Sequence, residues 1–260
     1  MIHGNGVDHR LLLPLDPCLA DAGAWERIYL DLPGFGGTPA LEEPGGLPEI
    51  ADWLQETIGE LVGDRKFAVL GHSLGGVLAA HLAITFGDQM SGMALLAPVV
   101  HPRPRDRTVP EKRVLHRDQK FLGLLDPQDA RDFEGMAILH TAEAWAAFRD
   151  AALPGIRAAN ARAVMQLSRR YHLAPEAGPG SRAAATVSPR TLILAGRHDH
   201  VVGFADQEDL LLRYPQATYV VLEDAGHNIH LDQPERVASF LRAWARALHE
   251  SAEETQTRSR

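Results

Sequence analysis

Residues 69–76 read VLGHSLGG, and the fold prediction starts from this stretch. An apolar run over 67–70 leads into Gly71-His72-Ser73-Leu74-Gly75, and a helix-like stretch follows. This is a G-x-S-x-G pattern in a strand–turn–helix setting, which is called a nucleophile elbow. The turn is tight enough to strain the serine backbone and to exclude side chains at the flanking glycines. We therefore predict that Ser73 is presented at the first turn of a helix, where backbone N–H groups point outward.

The pentapeptide alone leaves an alternative, a glycine-rich turn with an incidental serine, because short motifs recur by chance. A serine hydroxyl is a weak nucleophile that needs a base within hydrogen-bond reach, and the base needs an anion to fix its tautomer. The choice between the two interpretations therefore depends on what partners the rest of the chain supplies.

Strand-like and helix-like patterns alternate on both sides of the elbow. Strands are predicted at 27–32, 66–70, 93–100, 191–195 and 217–222, and helices at 9–22, 47–62, 74–86, 204–214 and 233–248. Such alternation is typical of an α/β fold with a mostly parallel sheet that helices cover on both faces. In these sheets the chemistry collects at the carboxyl ends of the strands.

Between 101 and 184 the pattern changes to helices at 128–152 and 155–171, with no strand signal. We predict a core formed by 1–100 and 185–249, a helical cap at 101–184 and a disordered tail at 250–260. The basic loop His101 to Lys112 is either a solvated hinge or a grip for an acidic substrate. Three cap aromatics are either pocket walls or cap core: Phe121, Trp145 and Phe148.

Composition excludes several function classes. The net charge is −8, so the chain has no general attraction to nucleic acid or an anionic membrane. The single Cys18 rules out an internal disulfide and a Cys-rich metal site. No targeting or membrane-spanning stretch is recognised in the sequence, so we expect a cytoplasmic protein. We expect the partner to be a small-molecule substrate and expect no binding to a membrane or to nucleic acid. A homodimer is possible from the sequence. We expect neither a cofactor nor a metal.

Two later strand ends supply the missing partners. Asp199 follows the strand at 191–195, and His227 follows the strand that ends near Leu222. The order Ser73, Asp199, His227 is the nucleophile–acid–base order of one class of hydrolases. Four other histidines compete for the role of base: His72, His198, His200 and His230. The cluster at 198–200 also raises the alternative of a metal site. That alternative is weak, because adjacent residues rarely converge on one ion.

The chain resembles the serine-dependent α/β-hydrolases over nearly its whole length. The motifs are HGNG at 3–6, DLPGFG at 31–36, GHSLGG at 71–76, GRHD at 196–199, and GH at 226–227 with PE at 234–235. The resemblance implies that Ser73 attacks, His227 moves the proton and Asp199 orients His227. It also implies that the backbone N–H groups of Asn5 and Leu74 form the oxyanion hole.

The chain departs from this family at its start, because members usually carry two or more strands before the His-Gly turn. This sequence begins two residues before that turn. An α/β sheet without a central strand leaves neighbouring edges unpaired. We expect either a start assigned too late or a different segment that fills the gap.

The resemblance implies a cofactor-free esterase that forms an acyl-enzyme on Ser73. Alternatives are a C–C bond hydrolase of the meta-cleavage-product type and a proline-releasing aminopeptidase. The absence of a Trp after His227 disfavours the first of these. A ligand-binding receptor or scaffold that keeps the fold with little turnover is the alternative of another class.

Overall fold

The computed structural model of the protein describes residues 1–173 and 189–258, with side chains as far as Ser251. Its strands in chain order are β1 Phe67–His72, β2 Met90–Leu96, β3 His116–Arg117, β4 Leu139–His140, β5 Arg190–Gly196 and β6 Thr218–Leu222. Its helices are α1 Asp16–Ala20, α2 Leu47–Val62, α3 Leu74–Phe86, α4 Gln119–Leu122, α5 Pro127–Met136, α6 Ala142–Ala151, α7 Leu153–Ala158, α8 Ala161–Arg169, α9 Ala205–Glu208, α10 Ile229–Asp232 and α11 Pro234–Arg258. Short 3-10 turns lie at His9–Leu15, Gly87–Gln89, Pro104–Asp106 and Asp209–Leu212.

Four of the strands form the central sheet in the order β1-β2-β5-β6. All three pairings are parallel, which confirms the predicted parallel α/β sheet. β2 and β5 and the second half of β1 are buried on both faces, as expected for parallel strands inside a sheet, whereas the edge strand β6 is only partly buried. The carboxyl ends of β1, β5 and β6 therefore point to one edge, where Ser73, Asp199 and His227 follow them.

The segment before β1 differs from the prediction. Residues 27–32 form no strand; Leu30 makes a single parallel bridge to Ile2, and Ile2 bridges in turn to Gly71. The Ile2 N–H donates to the Leu70 carbonyl (2.8 Å), and the Ile2 carbonyl accepts from the His72 N–H (3.0 Å). Ile2 therefore fills the position beside the end of β1. Only one residue of 27–32 is bridged, so this apolar segment does not form a strand.

Helix α3 lies directly behind the elbow and is buried on nearly every side. Nine of its residues are buried, which follows from its almost entirely apolar sequence. Helix α2 is amphipathic instead, and it buries one face against the core through Leu47, Ile50, Leu54 and Ile58. Both helices have the predicted bounds, because their periodicity and their C-terminal glycines, Gly63 and Gly87, are local signals.

The cap region 101–173 has a small apolar core of its own. Phe133, Trp145 and Phe148 pack ring against ring with centroids 5.4–6.2 Å apart, and Leu11 from the core region joins them. The region also holds the short parallel pair β3–β4, which the sequence did not predict. The two long helices predicted here are four helices (α5 to α8), and α5 and α7 each carry a proline in their first turn.

One other prediction needs correction. The predicted helix at 204–214 is a short α9 followed by a 3-10 turn. The last helix continues past Leu248 to Arg258, into the stretch where the sequence predicts a disordered tail; this stretch contains the good helix formers Ala, Glu and Gln. The predicted boundary between cap and core at 184–185 lies outside the described residues. Within residues 1–173 and 189–258, no helix is both long and apolar enough to span a bilayer.

The glycines of the elbow are required because backbone passes close to them. A Cβ on Gly75 would lie 2.2 Å from the Ile2 carbonyl oxygen, and one on Gly71 would lie 2.2 Å from the Gly75 carbonyl oxygen. Backbone atoms cannot swing aside as the tip of a flexible side chain can. The turn, the start of α3 and residues 2–3 therefore fit together only if these positions lack a side chain.

We expect Gly75→Ala to lower the free energy of unfolding by about 1–3 kcal/mol, because the new methyl group displaces the Ile2 backbone. Gly59→Ala is the matched control: Gly59 is also a helical glycine, but its Cβ would meet nothing within 4 Å. That change should stabilise the protein by roughly 0.5–1 kcal/mol. Urea denaturation of both variants measures the difference, and equal effects would contradict the account of the elbow.

Candidate active site

Ser73 sits on a strained backbone between β1 and α3. Its φ of 53° and ψ of −113° lie outside the regions that side chains favour, and such a residue costs about 1–3 kcal/mol. Hydrogen bonds hold it there: its N–H donates to the Leu96 carbonyl (3.0 Å), and its carbonyl accepts from Gly76 (3.0 Å) and Val99 (3.2 Å). The strained serine predicted from the sequence is thus present, with 6% of its surface exposed.

Asp199 and His227 form a buried hydrogen-bonded pair. His227 Nδ1 lies 2.9 Å from Asp199 Oδ2, and the other carboxylate oxygen accepts from the N–H groups of Val201 (2.8 Å) and Val202 (3.0 Å). Asp199 is fully buried and His227 is 5% exposed. An anion that accepts from Nδ1–H leaves Nε2 as the free acceptor, which is the tautomer that a general base needs. Glycine again permits the approach, because a Cβ on Gly196 would lie 2.2 Å from the Gly226 carbonyl oxygen.

Ser73 and His227 line one cavity of about 920 Å³. Its walls come from both parts of the chain and are largely apolar, with Leu11 and Val99 from the core region and Met136, Phe148 and Ile156 from the cap. Of the three cap aromatics that the sequence singled out, Phe148 lines the cavity. Phe121 and Trp145 pack in or against the cap core instead. A second cavity of about 310 Å³ lies beside the start of β1 and contains none of the candidate residues.

The predicted oxyanion donors lie next to the serine. Asn5 lines the cavity, and a Cβ on the preceding Gly4 would lie 3.2 Å from the Ser73 Cβ. Leu74 is the first residue of α3, so its N–H has no acceptor inside the helix. Within the described ranges, no protein group accepts a hydrogen bond from either backbone N–H. Two donors at this place can stabilise a negatively charged oxygen.

The rival histidines have other contacts. His200 Nε2 lies 3.2 Å from the Gly135 carbonyl, and His230 Nε2 lies 2.8 Å from the Leu11 carbonyl. Burial lowers the pKa of His230 to about 4. Asp199 is hydrogen-bonded to His227, and among the described residues the only grouping with the geometry of a cation site is Asp8, His9 and Asp31. Arg10 already pairs with the Asp8 carboxylate there, and Asp31 accepts from His9 and Gly37.

Sequence reasoning missed a second carboxyl group near the histidine loop. Asp232 Oδ2 accepts from the Gly226 N–H at 2.8 Å, and burial raises the pKa of Asp232 to about 6. The nearby Asp199 carboxylate raises it further, while His227 opposes the shift. Asp232 makes no hydrogen bond to the His227 ring. The sequence carries no signal for this residue beyond its place six positions after Gly226.

The serine on its elbow and the base of the histidine–aspartate pair thus line the same cavity, beside the carboxyl ends of the strands. A sequence profile of the alpha/beta hydrolase fold family matches residues 1–234. The chain therefore belongs to the α/β-hydrolase family, which confirms the resemblance and the fold predicted from the motifs.

Individual relatives agree with this class. The pimeloyl-[acyl-carrier protein] methyl ester esterase of Aeromonas hydrophila is 27% identical over 258 residues, with 93% of this chain and 92% of that protein covered. A dihydrolipoyllysine-residue acetyltransferase component of the acetoin cleaving system of Cupriavidus necator is 28% identical over 92% of this chain and 60% of that protein. The crystal structure of an α/β superfamily hydrolase from Oenococcus oeni matches with a TM-score of 0.85 and 26% identity, over 95% of this chain and 91% of that one.

We expect Asp199→Asn to lower kcat for an activated ester by about 10³–10⁴-fold, because the neutral amide no longer fixes the tautomer of His227. The fold should persist, since the amide oxygen can still accept from Val201 and Val202. Asp232→Asn is the control: it removes the other nearby carboxylate charge but keeps an acceptor for Gly226. Its kcat should stay within about threefold of wild type, and a comparable loss in both variants would reject Asp199 as the specific partner of the base.

Proposed function

We propose that this protein is a serine esterase that cleaves a small-molecule carboxylic ester through an acyl-enzyme on Ser73. The observation that carries the proposal is the buried His227–Asp199 pair, whose histidine lines one cavity together with the strained Ser73. In this proposal His227 Nε2 takes the serine proton as Oγ attacks the ester carbonyl, and it then protonates the leaving alcohol. Water attacks the acyl-enzyme in the same way, releases the acid and restores Ser73.

The oxygen that becomes negative in each tetrahedral intermediate is assigned to the N–H groups of Asn5 and Leu74. Support comes from their place beside Ser73 and from the absence of another acceptor for them among the described residues. Backbone donors are fixed before the reaction and do not need to reorganise as charge develops. The loss of one such donor typically costs about 3–4 kcal/mol of transition-state stabilisation.

An ester is the preferred substrate over the alternatives left open by the sequence. The esterases among the relatives support it, and nothing observed in the cavity favours C–C cleavage or an aminopeptidase reaction. A receptor with little turnover has no need of a strained serine beside a tautomer-fixed histidine. The strained backbone of Ser73 and the buried His227–Asp199 pair have a reason if the site performs chemistry.

A fluorophosphonate probe tests the activated serine directly. We expect the wild-type protein to be labelled covalently, with loss of labelling in Ser73→Ala and in His227→Gln, because both the nucleophile and the base are needed. Intact-mass measurement gives the stoichiometry, and p-nitrophenyl acetate hydrolysis should disappear in the same two variants. A folded wild-type protein that stays unlabelled would favour the receptor interpretation, and labelling that persists in Ser73→Ala would move the nucleophile elsewhere.

The mouth of the cavity further suggests an ester that carries a negative charge at its far end. Arg103 and Arg169 line the cavity, are exposed, and have no carboxylate partner among the described residues. The other charged side chains that line the cavity already have partners. Arg107 donates to backbone carbonyl oxygens, and Asp106 Oδ1 lies 3.7 Å from Arg105 Nε. The two arginines at the cavity therefore favour the interpretation of the loop at 101–112 as a contact for an acidic substrate over its interpretation as a solvated hinge.

Charge distribution supports the same substrate class. The segment 101–184 holds 14 of the 26 Lys and Arg residues but only 10 of the 34 Asp and Glu residues. The cap is thus positive on a chain of net charge −8, and it places positive charge over an apolar cavity. An apolar acyl chain with a carboxylate or phosphate at its end fits both properties. The relatives named for a pimeloyl-[acyl-carrier protein] methyl ester make such an acyl methyl ester one candidate.

We expect the monomethyl ester of a straight-chain dicarboxylic acid to give a higher kcat/KM than the methyl ester of the monocarboxylic acid of equal length. Arg103→Gln and Arg169→Gln should each lower kcat/KM for the charged ester by about 2–5-fold, because exposed ion pairs contribute at most about 1 kcal/mol. The neutral ester should be unaffected by either change.

Arg131→Gln is the matched control, since Arg131 is an exposed cap arginine that does not line the cavity. High salt should reduce the preference for the charged ester through screening. Equal kcat/KM values for the two esters would reject the anionic substrate class and leave the esterase proposal standing.

A further inference from the structure

His72 stands immediately before Ser73, and its side chain lies among the segments that hold the proposed catalytic groups. It is 2% exposed, and its own backbone N–H is fixed to the Ile2 carbonyl at 3.0 Å. The ring Nε2 lies 3.2 Å from the backbone carbonyl oxygen of His227, and the two ring centroids are 4.9 Å apart. The residue before the nucleophile therefore reaches the loop of the base.

The same ring also contacts the turn that carries Asn5. A Cβ on Gly4 would lie 2.9 Å from His72 Nδ1. Gly4 is thus pressed against the edge of the imidazole, and the ring separates the oxyanion turn from the histidine loop. One side chain consequently fixes the spacing of two loops that are more than 200 positions apart in the sequence.

The protonation state of His72 follows from its surroundings. A carbonyl acceptor at Nε2 requires Nε2–H, and Nδ1 has no hydrogen-bond partner among the described residues. Burial, followed by the nearby rings of His227, His230 and His3, lowers the pKa of His72 well below its usual value. The ring is therefore neutral at physiological pH. It donates one hydrogen bond without placing a positive charge beside the imidazolium that forms on His227 during the reaction.

We infer that His72 is a positioning residue: its Nε2–H bond to the His227 carbonyl and its contact with Gly4 hold the base and the oxyanion turn at fixed distances from Ser73. The inference rests on the proposed roles of these groups. His72 itself transfers no proton and forms no bond to the substrate. Its effect arises because a displacement of about 1 Å at a reacting group costs on the order of 10²-fold in rate.

The test compares two substitutions that differ in the donor. His72→Gln retains an amide N–H that can reach the His227 carbonyl, whereas His72→Leu fills similar space with no donor. We expect kcat for a p-nitrophenyl ester to fall about 10–100-fold in H72L, with KM changed less than about threefold, because a leucine of similar size replaces the part of the cavity wall that His72 forms. In H72Q, kcat should stay within about fivefold of wild type. If H72L does not fold, H72N, whose amide is too short to reach the carbonyl, takes its place.

His230→Leu supplies the control for lost packing. His230 is as buried as His72 and lies 5.5 Å from it ring to ring, but its Nε2 bonds to the Leu11 carbonyl rather than to the histidine loop. H230L should lose stability in thermal unfolding yet keep kcat within about threefold. A kcat in H72Q as low as in H72L, or equal losses in H72L and H230L, would overturn the inference and make His72 a core residue only.

The rate of fluorophosphonate labelling separates this inference from the proposed function. Slow labelling of H72L, with fast labelling of wild type and H72Q, supports both. Fast labelling and normal kcat in all His72 variants rejects the positioning role but leaves the activated serine intact. No labelling of the folded wild-type protein rejects the proposed function itself, and with it the basis of this inference.

Discussion

The structure depends most on the passage of the Ile2 carbonyl across Gly75. Ile2 donates to Leu70 and accepts from His72, so it is hydrogen-bonded into the edge of the sheet where β1 ends. A Cβ on Gly75 would meet its oxygen at 2.2 Å, which is closer than any side chain permits. This contact fixes three things at once: the start of α3, the strained backbone of Ser73, and the place of residues 3–5 beside the nucleophile.

The strained backbone of Ser73 persists because both its N–H and its carbonyl are hydrogen-bonded to neighbouring segments. Leu96 on β2 accepts from its N–H, and residues 76 and 99 donate to its carbonyl. The positive φ thus stays in place through contacts from the end of β2, the segment that follows it and helix α3. A conformation that costs free energy by itself is held by parts of the chain that are far apart in sequence, and this places an otherwise ordinary serine beside a cavity.

The groups proposed for bond cleavage and those proposed for recognition lie in two parts of the molecule. The groups proposed for bond cleavage follow the ends of β1, β5 and β6 and are anchored in the large core. The outer wall and the charged mouth of the cavity come mainly from the cap region, which packs around the separate cluster of Phe133, Trp145 and Phe148. The division is not complete, because Leu167 of the cap region belongs to the large core and Leu11 of the core region belongs to the cap cluster.

What the sequence by itself determined is local in origin. The bounds of α2 and α3, the parallel strands and the elbow follow from periodicity, C-terminal glycines and a turn that admits no side chain. Only the tertiary structure decided the rest: that 27–32 is a single bridge, that Phe148 lines the cavity while Trp145 does not, and that Asp232 lies near the histidine loop. The physical reason is that strand pairing, side-chain burial and pKa depend on neighbours from distant parts of the chain. The sequence named Ser73, Asp199 and His227, and their shared surroundings exist only in the folded molecule.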